Sequence, residues 1–280
     1  MATIKNVEQE VFDFYNAGVE KERLKRGIGK IEFERTKEII SRYLLNTKQV
    51  IYDIGGGTGE YARWLAQLGH EVHMFELAPR AVEHAIELQN HTEFPIHSIE
   101  LADARAIFRP DESADMVLLM GPLYHLLDKD DRIDALKEAV RVLKKDGVLI
   151  VAVISRFGST LWGLSVFGQK NDLIDEDAFM EMVQRELTDG QHIRPEQYPN
   201  FIARAFFHTP EELKAEIEEA GLAYEKTLSV EGPIWIVPAF EQKWTDKNSK
   251  ERLMKIAELV EEQESLLGMS PHMLAISRKL

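Results

Sequence analysis

An apolar run beginning at Gln49 stops at Asp53 and gives way to Gly55, Gly56, Gly57 and Gly59, with a helical pattern starting directly after Glu60. Glycine lets a backbone turn sharply and approach a ligand where a Cβ would collide. A loop between a strand end and a helix start is where open α/β sheets bind nucleotide-like cofactors. The spacing is G-x-G-x-G and not the dinucleotide G-x-G-x-x-G, because the position three beyond Gly57 is Glu60. A pyrophosphate favours bare backbone donors at a helix N-terminus, and an acid at the loop exit opposes it. The chemistry implied is the binding of a nucleoside that carries no phosphate.

Two further carboxylates fall in register with this loop. Glu76 ends the next strand pattern, where an acid can accept from both hydroxyls of a ribose; as a plain alternative it is a solvated helix-capping acid beside Pro79. Asp103 lies just beyond the third strand pattern. It can accept from an exocyclic amine of adenine, with the Ala104 amide serving a ring nitrogen, or simply form a turn, as Asp does in many loops.

The elements that must position these residues alternate from residue 49 onward, the signature of a parallel sheet covered on both faces. Strands are expected over 49–54, 71–76, 96–101, 115–120, 148–154, 222–230 and 272–277. Helices are expected over 59–69, 80–90, 130–144 and 247–267. A further helix opens at Thr209-Pro210, where Glu212 completes a capping box. The fold class is α/β: a Rossmann-like, seven-stranded, mostly parallel sheet with helices on both faces. A helical cap (1–45) precedes the core (46–155). An insertion (156–208) without clear periodicity is expected to act as a lid, and 209–280 completes the sheet.

The 280 residues suit one large domain with an insertion. A net charge of -14 argues against wrapping nucleic acid. Cysteine is absent, so disulfides, thiolate metal sites and cysteine nucleophiles are excluded. No metal is expected. The polar N-terminus lacks a signal-peptide core and no run is long enough for a membrane span, so a cytoplasmic protein is expected.

Together, Gly55–Gly59, Glu76, Asp103 and the exit from the fourth strand, Gly121-Pro122-Leu123-Tyr124-His125, resemble a class I S-adenosylmethionine-dependent methyltransferase. The resemblance is strong over about 49–155 and looser over 209–280. It implies S-adenosylmethionine as cofactor, with its methionine part held by Asp53, Gly55, Gly56, Gly57, Thr58 and Gly59. Glu76 and Leu77 would meet the ribose, and Asp103 and Ala104 the adenine, with Gly121 also binding the cofactor. The cap and insertion resemble a branch that methylates small molecules.

Departures from family patterns narrow the chemistry. Base-amine and glutamine methyltransferases carry Asn/Asp-Pro-Pro-aromatic after the fourth strand, where this chain has Gly-Pro-Leu-Tyr. Base-C5 chemistry needs a cysteine, and metal-assisted catechol-type chemistry needs carboxylates at that exit. In-line displacement onto an oxygen or nitrogen of a small-molecule acceptor remains. His125 is the best-placed candidate base, with His192 and His208 as poorer ones. Tyr15, Arg156, Arg194 and Glu231 are candidate polar fixtures in a pocket walled by aromatics such as Trp162, Phe179 and Phe206. An arginine at 156 would suit a carboxylate or phosphate on the acceptor. A nicotinamide oxidoreductase, a non-catalytic sensor subunit and a methyltransferase of protein or RNA are the competing readings. A homodimer is an open expectation.

Overall fold

The computed structural model describes residues 22–90, 92–165, 173–199, 201–202 and 204–280. Strand β1 (Val50–Ile54) lies at the centre of a seven-stranded sheet, preceded by helix α1 (Gly29–Ser41). Beyond it come α2 (Glu60–Gln67), β2 (Glu71–Glu76), α3 (Pro79–Gln89), β3 (Ser98–Leu101) and β4 (Ala114–Leu119). A short helix α4 (Pro122–His125), α5 (Lys129–Val142) and β5 (Leu143–Ile154) follow. The insertion holds α6 (Gly158–Leu164), α7 (Asp177–Asp189), β6 (Gln191–Ile193) and β7 (Arg204–Phe206). The chain then forms α8 (Pro210–Glu219), β8 (Ala223–Ser229), α9 (Phe240–Thr245), α10 (Lys247–Val260), α11 (Glu264–Leu267) and β9 (His272–Arg278).

The strand order is β3-β2-β1-β4-β5-β9-β8. Pairing from β3 through β5 is parallel, and β9 runs antiparallel to both β5 and β8. Alternation along the strands sends successive side chains to opposite faces. Tyr52, Ile54, Val117 and Leu119 therefore pack with α5 and α8 residues such as Leu136 and Leu213. Ile51, Met116 and Leu118 pack on the other face with Ile39 of α1 and Leu65 of α2. Burial on both sides explains why these strands read as nearly continuous apolar runs. The order reverses between β1 and β4, which opens a crevice at their C-terminal ends, where such sheets bind ligands.

Strand and helix limits fall within a few residues of the sequence expectation in the core, and β2 coincides with it. Strand β5 starts at Leu143, earlier than expected, passing through Asp146 at a φ of 62°. The acidic C-terminal helix is shorter than 247–267. It ends at Val260, and the next residue, Glu261, is buried as the ion partner of Arg35 and Arg42. The capping box at Thr209 and Glu212 forms as anticipated.

The insertion carries regular structure that its sequence did not announce. Helix α7 buries Phe179, Met182, Val183 and Glu186, spaced three, four and seven apart, and stops at Gly190 with a φ of 80°. Its apolar residues form a small core with Leu173, against which Trp162, Tyr198 and Phe201 pack. The insertion leaves and returns at one point, where Arg156 N donates to the His208 carbonyl and His208 N to that of Ile154. The first half of the expected N-terminal cap, with Tyr15, lies outside the described residues. Among the described residues no helix is long and apolar enough to cross a membrane.

Candidate active site

At the end of β1 the Asp53 side chain is fully buried, and neither of its carboxylate oxygens has a hydrogen-bond partner among the described residues. Burial first, and then the charge of Glu76, push its carboxyl up to about 7, with only a weak opposing pull from the nearby Ala62 amide, which does not reach hydrogen-bonding geometry. An orphaned buried acid is costly. It fits a site that a cationic group completes.

The glycine loop arches over this acid. A Cβ on Gly56 would sit 2.9 Å from Asp53 Oδ2 and 2.7 Å from Met74 Cγ, so any side chain there would seal the carboxylate off. Gly55 has a φ of 76°, and its Cβ would lie 2.5 Å from Pro122 Cδ. The loops after β1 and β4 thus touch, and glycine is what permits the approach. Gly55 N donates to the Phe75 carbonyl at 2.8 Å. Glu76 then ties the loop to the next strand: its carboxylate accepts from Gly57 N and Ala78 N, both at 2.8 Å.

Between the loops lies an open cleft of about 620 Å³, lined by Glu22–Lys25, Gly55–Thr58, Glu60, Tyr61, Met120, Gly121 and Tyr124. Glu60 opens α2 and pairs with Arg63 at 2.9 Å.

Of the expected binding residues, Gly55, Gly56, Gly57, Thr58 and Gly121 line the cleft itself. Glu76, Leu77, Asp103 and Ala104 lie further along the same sheet edge, after β2 and β3. Asp103 forms the turn its residue type favours, accepting from Arg105 N at 2.9 Å, and holds the Arg105 guanidinium, whose other arm reaches Asp131.

The expected acceptor-side residues are placed differently. His125 ends α4, which packs against β7, and its ring meets that of Tyr124 edge-on at 4.6 Å. Burial pushes its imidazole down to about 3, against the favourable backbone of Arg204. A base works best with a pKa near the operating pH, so this environment argues against His125 as one. Arg156 is buried, donating to the Phe207 carbonyl at 2.7 Å and to Glu212 at 2.5 Å. It locks the insertion onto the α8 cap and is not among the residues lining the cleft. His192 is held by Glu186 at 2.6 Å and stacks on Phe207, and His208 meets Glu216 at 3.2 Å. Arg194 donates to the Pro199 carbonyl. These polar groups organise the insertion, and its aromatics build the insertion's own core rather than a described cleft wall.

Sequence reasoning missed a charged network joined to the cleft through Arg23. Arg23, a lining residue, pairs with the buried Glu32 of α1 through two contacts, the longer 2.8 Å. His272 Nδ1 lies 3.7 Å from Glu32 and 2.7 Å from Glu231, which is fully buried. Glu231 also accepts from Ser270 Oγ at 2.8 Å and from His272 N at 3.0 Å. Burial alone would lower the His272 imidazole, but Glu32 and Glu231 outweigh it and push it up to about 9. Despite burial, Arg23 and His272 hold the Glu32 carboxyl below its ordinary value. The partners come from segments far apart in the chain, so no local spacing signals them.

Residues 52–151 match a family model described as a methyltransferase domain. No curated protein matches the chain. Among solved structures, a SAM-dependent methyltransferase from Methanosarcina mazei is similar at 18% identity, with a TM-score of 0.58 over 86% of this chain and 97% of that one. An S-adenosylmethionine-dependent methyltransferase from Mesorhizobium loti is similar at 14% identity and a TM-score of 0.55, over 87% of this chain and 97% of that one. A chain from the complex between the Haloferax volcanii Trm112 methyltransferase activator and a methyltransferase is similar at 17% identity and a TM-score of 0.59, over 95% and 97%. At these identities the structural likeness speaks for the fold. The seven-stranded, mostly parallel sheet with helices on both faces is the Rossmann-like methyltransferase fold. Over residues 52–151 the chain carries a methyltransferase domain, and the match together with the fold indicates S-adenosylmethionine as the cofactor.

Proposed function

We propose that the protein methylates a small polar molecule at oxygen or nitrogen by in-line displacement. The observation that carries this reading is the orphaned Asp53 carboxylate beneath a glycine loop that opens directly on the cleft. When bound, the cofactor supplies an activated methyl group on a sulfonium. Asp53 and the 55–59 backbone would hold its amino-acid part, Glu76 and Leu77 its ribose, and Asp103 and Ala104 its base. Glu76 would take the ribose with its remaining lone pairs while keeping Gly57 and Ala78 in place. Arg105 would stay on the outer side of Asp103.

The chain's contribution to the reaction is alignment and exclusion of water. Orientation alone supplies on the order of 7–11 kcal/mol of such barriers. Tyr61 and Tyr124 border the cleft where an acceptor would approach, and Arg23 adds a cation held in position by Glu32. The charged lining favours a polar acceptor, in place of the aromatic-walled pocket first expected, and the net charge of -14 disfavours nucleic acid. We read His125 as a buried packing partner of Tyr124 rather than the base, and Arg156 as a structural anchor of the insertion.

The test is turnover. Purified protein with the cofactor and a panel of small amines, amino acids and hydroxy acids should release S-adenosylhomocysteine only with an accepted member. Tight cofactor binding with no release on any member, but methylation of a protein or RNA fraction, would overturn the small-molecule reading.

A further inference from the structure

A second constellation lies at the end of the sheet away from the cofactor loops. Glu71 opens β2, His73 follows two residues later on the same face, and His97 immediately precedes the neighbouring strand β3. One ligand atom from each, two imidazole nitrogens and a carboxylate oxygen, lies within 4.8 Å of the others.

The contacts around His73 leave Nε2 as the atom turned toward Glu71. Ser98 Oγ donates to Glu100 at 2.6 Å and lies 2.8 Å from His73 Nδ1. Arg109 donates to the same serine oxygen at 3.1 Å, pairs with Glu100 and lies 3.4 Å from Nδ1. Nδ1 is thus engaged by its neighbours, while Nε2 lies 3.5 Å from Glu71 Oε1. The tilted ring of His97 lies alongside at a centroid distance of 4.7 Å. A hydrogen bond from the far nitrogen is the support that metal-ligating histidines receive.

We propose that Glu71, His73 and His97 form a divalent transition-metal site. Two imidazoles and one carboxylate suit zinc, nickel or copper rather than magnesium or calcium. His97 is exposed and free to close the remaining distance. Lys48, paired with Glu71 Oε2 at 2.9 Å, has a largely exposed side chain that can yield or remain on the second oxygen. Bound metal would clamp edge strand β3 to β2. The network of Glu32, Glu231 and His272 has comparable ligand types, but Arg23 already balances it.

The experiment is a zinc chloride titration of the full chain by calorimetry, paired with thermal melting. Wild type should bind one equivalent saturably and melt at a higher temperature with zinc. Glu71→Gln and His97→Ala change exposed or half-exposed side chains, so both should fold. Each should weaken binding by at least about tenfold and lose the zinc-dependent melting shift. The proposal is overturned if wild type shows no saturable binding below millimolar zinc. It is equally overturned if both variants bind as wild type does, which would place the metal on other histidines.

Discussion

Glu76, at the end of β2, acts on Asp53 one strand away: its charge adds to burial in raising the buried Asp53 carboxyl to about 7. In the unfolded chain Asp53 ionises near its ordinary value of 3.8. Its contribution to stability is therefore fully present below that value and is lost as pH rises through about 7. The cationic cofactor reverses the preference and favours the ionised acid. We expect affinity to fall below pH 7, by at most about tenfold per pH unit, with a proton released on binding at pH 6. Calorimetry in two buffers of different ionisation enthalpy reads that proton. Asp53→Asn should bind weakly at all pH values with no proton release.

Glu76 holds Gly57 and Ala78 together, so its loss should harm the loop as well as the ribose contact. Glu76→Ala is expected to weaken cofactor binding by about 1.5–3 kcal/mol, the range for hydrogen bonds to a charged group. Unchanged affinity by calorimetry would remove Glu76 from the site.

The contact between Gly55 and Pro122 can be tested by adding one methyl group. Gly55→Ala places a Cβ against the proline ring in a left-handed backbone, and such strain is worth about 1–3 kcal/mol. The melting temperature should fall accordingly. Pro122→Ala in the same chain should restore the steric part but not the backbone part, and simple additivity in that cycle would refute the contact.

His272 carries a pH dependence of the same sign in a higher window. Its imidazole is raised to about 9, so the stability it contributes is complete below about 6.5 and disappears as pH rises through 9. Glu231→Gln should destabilise the protein by about 3–5 kcal/mol, as expected when one partner of a buried ion pair is removed. It should also flatten the decline between pH 6.5 and 9 in urea unfolding curves. A variant as pH-sensitive as wild type there would disprove the coupling.

The strand-loop-helix unit around Gly55 was legible because its information is local. An apolar run, a glycine cluster and a helical stripe follow one another within a few residues, and sheet order then places Gly55 beside Gly121. The insertion was misjudged for a related reason. The stripe of Phe179, Met182 and Val183 in α7 was present in the sequence, but its aromatic neighbours suited either a small core or a pocket wall, and composition does not separate the two. His125 and Arg156 sit near the cofactor edge in the chain, yet burial depresses one and Glu212 engages the other.

The sequence by itself determined the fold class, the glycine loop after β1 and the place of the acids that follow it, because residue spacing and backbone freedom act over short distances. Only the tertiary structure decided which charged groups meet. The proton affinities of Asp53 and His272, the pairing of Arg23 with Glu32 and the approach of His97 to Glu71 all depend on burial and on partners brought from other elements. Electrostatic energies vary steeply with distance and desolvation, and neither quantity exists until the chain has folded.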